Sequence, residues 1–408
     1  MLSKTLKFLV VLIIFFATTQ LGLHFWPLSS LVYGIRIDYL SPTLYFLDIL
    51  ILLYLGLTTK GFDPLRRSWP MAKMFSRATT NGETGSNPRT IIVSLLPLLL
   101  TNLLFSQNPL STLNWSLHLV LYCSFIFSLK KEILKVIPNI LFISLTFQLI
   151  LGLTQFYLGH SVGGLMYYLG ERMVAVGAPG IATTTFMDQV VLRAYGTFSH
   201  PNIFAGWAVI ALIIILRLRP QLKTLATLLT TIIVFITNSR SAALVLFGVV
   251  IPFYLIKNTK LRLLYFLIPI LLFPILPISS LPRTDLSFSE RLNLQQVSLK
   301  VVSAYPVFGT GSQSSISTYP MVSPATRLLQ PDHNSFTLFF SWFGLFGVFA
   351  ILYSLGSLNI RHFLFSVLPL LPLLLLDHYL LTSPQGMFVL LLYLAVGVNY
   401  SHAQKNRQ

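Results

Sequence analysis

Cysteine occurs once in 408 residues, and Asp and Glu together occur only 11 times. Charged residues of both signs make up 10% of the chain, against about 25% in soluble domains. So little charge excludes a soluble globular enzyme and a disordered chain. The single Cys123 lies in an apolar run, so no internal disulfide and no cysteine metal cluster can form. Asp-x-Asp, His-Glu-x-x-His and the Walker-type Gly-rich loop are also missing. Their absence argues against a metal-dependent nucleotide-sugar transferase, a zinc protease and an ATP-driven machine. No metal and no cofactor is expected.

Apolar residues are abundant instead, at 54%, with a mean hydropathy of +0.76. The expected fold class is an all-α polytopic membrane protein. A spanning helix needs about 20 mostly apolar residues. Twelve stretches approach that: 8–27, 42–57, 90–105, 113–129, 133–158, 202–218, 222–237, 241–256, 261–279, 335–355, 362–377 and 385–399. The first follows Lys4 and Lys7 like a signal peptide, but it is long and lacks a small-x-small cleavage site, so it reads as a retained helix. Pro269, Pro274 and Pro277 kink or break 261–279.

The net charge of +17 would suggest nucleic acid in a soluble protein. With both termini placed in the cytoplasm and the spans alternating, 20 of the 28 Lys and Arg fall inside and 8 outside. That split obeys the positive-inside rule, so no nucleic-acid partner is needed. Seven of the eight outer cations are Arg: Arg36, Arg172, Arg193, Arg240, Arg283, Arg291 and Arg327, with Lys300 the exception. Topology disfavours Lys and Arg alike. Arg grips phosphate with a planar fork, and that points to a phosphate ligand. Interface anchoring by long side chains is the plainer explanation for any single one.

Two outer loops are long, 159–201 and 280–334, and both are expected to pack over the mouth of the bundle. They divide the chain into N-terminal helices (1–158), a core with both loops (159–355) and C-terminal helices with a short tail (356–408). In the first loop Ser199-His200-Pro201-Asn202 leads into a helix, where Asn202 can serve as a cap and His200 can satisfy a local carbonyl. Arg240 sits between two closely spaced spans, as a buried cation that needs a carboxylate or phosphate partner. In the second loop Asp285–Val302 has an amphipathic helix pattern, with Leu292, Val297 and Val301 along one side. Gly309-Thr310-Gly311 can form an anion nest. His333 stands at the top of a long apolar helix, where no polar residue is required, and Asp332 beside it can orient the ring.

No ATP exists outside the membrane, so an activated substrate must arrive through the lipid. A lipid pyrophosphate fits, with Arg taking up the charge that grows on the leaving group. A unit charge pair at 4 Å contributes about 4 kcal/mol at an effective dielectric near 20, before desolvation. A neutral His can take the proton of an acceptor hydroxyl.

Four ordered motifs now resemble one family. They are Arg193-x-x-Gly196-Thr197-Phe198-x-His200-Pro201-Asn202; Asn238-Ser239-Arg240-Ser241-Ala242; Arg291 ahead of Pro306-x-x-Gly309-x-Gly311; and His333-Asn334 leading into Gly344-x-x-Gly347. Over roughly residues 190–350 the chain resembles the O-antigen ligases and O-antigen polymerases of bacterial membranes. The resemblance implies transfer of a glycan from undecaprenyl pyrophosphate to a glycan, lipid or protein acceptor. It also implies that no metal is used and that the sugar carbon inverts. It puts the site on the outer face of the cytoplasmic membrane. It implies His333 as general base, Arg193 and Arg291 on the pyrophosphate, and Arg240 as a further cation. His200, Asn202, Gly309, Gly311 and Asn334 would shape the loops. A polymerase shares that grip. A lipid-linked sugar flippase would need cations at mid-membrane and an internal repeat, and the spans carry almost no ionic residue besides Asp48. A non-catalytic scaffold would need neither His333 nor the outer Arg set.

Overall fold

The computed structural model describes residues 4–59, 88–129, 131–256, 261, 286–326, 328–356 and 367–405. All but residue 261 of the expected span 261–279, the basic stretch 60–87, Arg283 and Arg327 lie outside these residues. Helices dominate: α1 (Lys4–Phe16), α2 (Phe46–Thr59), α3 (Pro88–Leu104), α4 (Pro109–Ser128), α5 (Ile137–Leu158), α6 (Pro201–Leu218), α7 (Lys223–Thr237), α8 (Arg240–Leu255), α9 (Leu286–Ala304), α10 (Ser335–Gly356), α11 (Leu371–Leu376) and α12 (Pro384–Lys405). Five apolar segments, carried by α4, α5, α6, α7 and α10, are long and apolar enough to cross a membrane. The chain is an integral membrane protein, and among the described residues five of the expected spans have full length.

The shortfall has local causes. The first expected span, 8–27, is helical only to Phe16. Thirteen residues rise about 20 Å, short of the ~30 Å hydrocarbon core. Beyond it Thr18, Thr19 and Gln20 break the apolar run, and the Thr19 hydroxyl donates to Leu169 O at 3.0 Å. The next span begins at Phe46 rather than 42, because Thr43–Tyr45 forms a strand and Asp48 accepts the Tyr45 N–H at 2.8 Å. Helix α8 carries a π-helical turn over Leu246–Val250 just before Pro252, which has no N–H to donate.

The fold is also not purely helical. Among the described residues three two-stranded antiparallel sheets occur: β1 (Gly22–His24) with β4 (Thr43–Tyr45), β2 (Leu31–Val32) with β3 (Ile35–Arg36), and β5 (Thr183–Phe186) with β6 (Gln189–Leu192). The last turns at Met187 and Asp188, both with positive φ. Two such residues match the twist of the flanking strands, and Thr and Val supply the β-branched arms.

Helix α6 is the axis of the bundle. Every residue from Pro201 to Ile215 is buried, against α5, α7, α8 and α12. A helix apolar on all sides needs such a position. Ala205, Gly206, Ala208 and Ala211 let neighbours approach closely, and a side chain at Gly206 would strike the Tyr379 hydroxyl.

The connections expected on one side do meet at one end of the bundle. Asn108 Nδ2 donates to Ser29 O (2.7 Å), Tyr33 Oη to Pro324 O (3.1 Å), Asn238 Nδ2 to Thr184 Oγ1 (2.6 Å) and Gln313 Nε2 to Thr382 O (2.9 Å). The amphipathic helix exists as α9, but its buried side is Leu294, Val297, Ser298 and Val301, while Leu292 is exposed. Three apolar positions spaced three and four apart decide the face; Leu292 lies off that row.

The Gly309-Thr310-Gly311 turn is a packing device and not an anion nest. Helix α10 breaks at Gly344 (φ 58°), which frees backbone groups on both sides of the break. Thr310 N and Gly311 N donate to Ser341 O and Trp342 O (2.9 and 3.0 Å), while Leu345 N and Phe346 N donate to Pro306 O and Val307 O (2.9 Å each). Ser312 N donates to Asn102 Oδ1 at 2.9 Å. The N–H groups that would hold an anion are spent on protein. A Cβ at Gly309 would meet the Trp342 backbone, and one at Gly344 would meet Val307 O.

Candidate active site

The site lies at the N-terminus of α6. Two glutamines one heptad apart on α5 hold the preceding strap. Gln155 Oε1 accepts from Tyr195 N (3.0 Å) and Gly196 N (2.8 Å), and Gln148 Oε1 accepts from Thr197 N (3.0 Å). Gly196, at φ 58°, leaves no room for a Cβ beside Gln148. His200 is the helix cap: its Nδ1 accepts from Asn202 N at 3.2 Å. Asn202 is therefore free of capping and bridges two charged groups. Its Oδ1 accepts from Arg193 Nη2 (2.6 Å), and its Nδ2 donates to Asp377 Oδ2 (3.4 Å).

Asp377 is the convergence point. Helix α11 ends at Leu376, and Asp377 is extended (φ −152°, ψ 155°) before a one-turn helix, Tyr379–Thr382. Arg291 Nη1 donates to Leu376 O (3.0 Å), Ser335 Oγ to Asp377 O (2.7 Å) and Ser241 Oγ to Asp377 Oδ2 (3.3 Å). His333 Nδ1 lies 3.3 Å from Asp377 Oδ1. A carboxylate only accepts, so Nδ1 carries the proton and Nε2 is left for other chemistry. Burial pushes the Asp377 pKa up, but the hydrogen bond and charge of His333, with Arg291 and His378, outweigh it and hold the carboxyl down at about 2. Burial lowers His378 to about 3 and His200 to about 4, with His333 and Arg193 respectively adding to the shift. Both rings are neutral at pH 7.

His333, Asp377, His378, His200, Asn202 and Arg172 line one cavity of about 690 Å³. Arg172, not singled out from sequence as a site residue, is exposed and donates to Ser199 O at 3.1 Å. Arg193 and Arg291 stand behind that wall. Arg193 also donates through Nε to Thr237 O at 2.6 Å. Burial lowers its pKa, and the nearby Arg291 and Arg240 add to the lowering. Arg240 is exposed rather than buried. It opens on a second groove of about 360 Å³, walled by Phe156, Phe186, Phe235 and Phe247.

Of the acidic residues whose share in the base role the sequence leaves open, Glu171, Asp188, Glu290 and Asp332, none has a hydrogen bond to the His333 ring among the described contacts. Glu171 accepts from Val162 N, Gly163 N and Gln155 Nε2. Glu290 and Asp188 are exposed. Asp332 takes Asn334 N (3.1 Å) and the Thr337 hydroxyl, and so opens α10 instead of orienting His333. Asn334 Oδ1 accepts from Phe336 N at 2.9 Å and completes that cap.

His333, Asp377 and His378 offer ligand atoms within 4.8 Å of one another, a set able to hold a divalent cation. The surrounding charge opposes one: the guanidinium groups of Arg193 and Arg291 bear on Asp377, the one carboxylate in the set. The same excess of positive charge, at the N-terminus of a central helix, suits a polyanion.

Residues 225–352 match the family model described as O-Antigen ligase. Over this segment the chain is similar to the O-antigen ligase family. Its matched segment begins in α7 and ends in α10, so it contains Arg240, Arg291, Gly309, Gly311, His333 and Asn334. Arg193, Asn202 and Asp377 lie outside it yet complete the same cluster. O-antigen ligase family members are membrane glycosyltransferase-like enzymes, ligases or polymerases. No curated protein matches the chain.

Proposed function

We propose that the chain transfers a glycan from undecaprenyl pyrophosphate to an acceptor hydroxyl on the outer face of the cytoplasmic membrane, without a metal and with inversion at the sugar carbon. The observation that carries this reading is the His333–Asp377 pair, 3.3 Å apart on a cavity wall beside a cluster of arginines. Nε2 of His333 takes the proton of the acceptor hydroxyl. The freed oxygen attacks the anomeric carbon, a new C–O bond forms, and the bond to the phosphate oxygen breaks with its electron pair. Asp377 holds the ring and stabilises the imidazolium. Arg193, Arg240 and Arg291 favour the leaving pyrophosphate. The aromatic groove at Arg240 suits the lipid side of the donor, and the polar cavity suits the acceptor. Partners on this reading are the lipid-linked donor, a glycan, lipid or protein acceptor, and the membrane.

The test is reconstitution in liposomes with the donor, a pool of acceptors and a chelator. The expected result is acceptor-dependent release of free undecaprenyl pyrophosphate, lost in His333→Ala and Arg291→Ala. Movement of intact donor between leaflets without release would instead establish a flippase.

A further inference from the structure

A second Asp–His pair borders the same cavity, and the proposed chemistry makes no use of it. Asp48, in the first turn of α2, is buried and fully occupied. Its Oδ2 accepts from Tyr45 N (2.8 Å) and His118 Nε2 (3.0 Å), and its Oδ1 accepts from Tyr122 Oη (3.0 Å). His118 is 8% exposed, and what remains exposed faces the cavity. Asp48 takes the Nε2 proton, so Nδ1 is the ring nitrogen left to act as an acceptor toward the cavity. Among the described residues Nδ1 has no hydrogen-bond partner, and it is not a sealed, unsatisfied atom either.

Asn114 lies one turn earlier on α4 and lines the same wall. Its Oδ1 accepts from Thr43 N at 3.2 Å, which leaves the Nδ2 donor for the cavity. Residues four apart on a helix share a face, with Cβ atoms about 5–6 Å apart. One donor and one acceptor at that spacing match two hydroxyls across a single pyranose ring. The Tyr45 ring, 5.4 Å from His118, lines the cavity beside them and offers a flat apolar surface to sugar C–H groups. Arg193, Arg240 and Arg291 do not line this cavity. Arg172 does line it, so the assignment of the acceptor to this cavity rests on the neutral Asn114, His118 and Tyr45 groups, with the leaving group placed on the side of the other three arginines.

We infer that Asn114 and His118 form a sugar subsite that positions a neutral glycan acceptor for attack. The inference rests on the transfer reading and names the acceptor class. His118 is a positioning residue held by Asp48 and Tyr122.

The test uses the full chain in nanodiscs, without donor. The probe is a mixture of neutral oligosaccharides released from the host's cell envelope. Two substitutions keep the atom that faces the protein and remove the one that faces the cavity: His118→Lys retains a donor to Asp48 and carries no acceptor, and Asn114→Asp retains an acceptor for Thr43 N. The expected result is oligosaccharide binding by wild type, weakened about tenfold in each variant, as befits one lost hydrogen bond. In a second assay with donor added, the acceptor KM rises by the same factor, while kcat, donor KM and melting temperature stay near wild type. Unchanged binding in a folded His118→Lys protein overturns the subsite, as does a rise in donor KM with acceptor KM unmoved. Transfer to a lipid or protein acceptor with no oligosaccharide binding also overturns it and leaves the transfer reading standing. Oligosaccharide binding without donor turnover does the reverse.

Discussion

The two Asp–His pairs of one cavity are built on opposite plans. Asp48 and His118 sit on helices α2 and α4, and Tyr122 fills the remaining carboxylate oxygen. Asp377 and His333 sit where helices stop, in the break after α11 and just before α10. Their hydrogen bonds are longer, 3.3 Å to the ring and 3.3–3.4 Å to Ser241 and Asn202, and arginines crowd around them. A pair on rigid helices fixes the position of a substrate. A pair at helix ends, within a positive field, can exchange a proton and stabilise charge.

Substitutions can break this contrast. The largest effect is expected at His333: alanine there should lower the transfer rate by roughly 10²–10⁴-fold, the usual contribution of a general base, in single-turnover release of the lipid pyrophosphate. Asp377→Asn should lower the rate by about two orders of magnitude, because an amide does not fix the ring's proton on Nδ1. Loss of a cation in Arg291→Ala should cost roughly 10²-fold, as removal of one oxyanion donor does, with Arg291→Lys intermediate. By contrast, Gly344→Ala should leave the chemistry of folded protein intact but destabilise it by about 1–3 kcal/mol, seen as a lower melting temperature, since the left-handed break would be strained and would collide with Val307 O.

The smallest expected effect is on stability against pH. The folded pKa of Asp377 lies below the usual ~3.9, so its contribution is complete above about pH 4 and is lost as pH falls through about 2. His200 and His378 also have folded pKa values below the usual ~6.5. Their contribution is complete above about pH 6.5 and declines toward pH 4 and then 3. Melting curves should therefore fall in steps as pH drops, and His200→Asn should flatten the step between pH 6.5 and 4.

The sequence carried the membrane class, the meeting of the connecting loops at one end and the gathering of Arg193, Arg291 and His333. Those features follow from apolar runs and charge placement, which are local. It hid Asp377 and His378, because Asp377 closes an apolar run and reads as the last residue of a span. A carboxylate next to a histidine at the border of such a run was the available signal. Nothing local could show that Asn202 would turn from cap to bridge once His200 took the cap. The same holds for the Gly309–Gly311 turn, where Thr310 N and Gly311 N are claimed by Ser341 O and Trp342 O beside the helix break at Gly344. Those outcomes depend on which strand of chain lies opposite.

The central claim is that His333 acts as the base and Asp377 as the group that holds it. The most direct measurement is single-turnover transfer by His333→Ala in chelated proteoliposomes, with and without added imidazole. The expected rate is near zero, imidazole partly restores it, and restoration is reduced when Asp377→Asn is also present. Transfer at the wild-type rate in His333→Ala would contradict it.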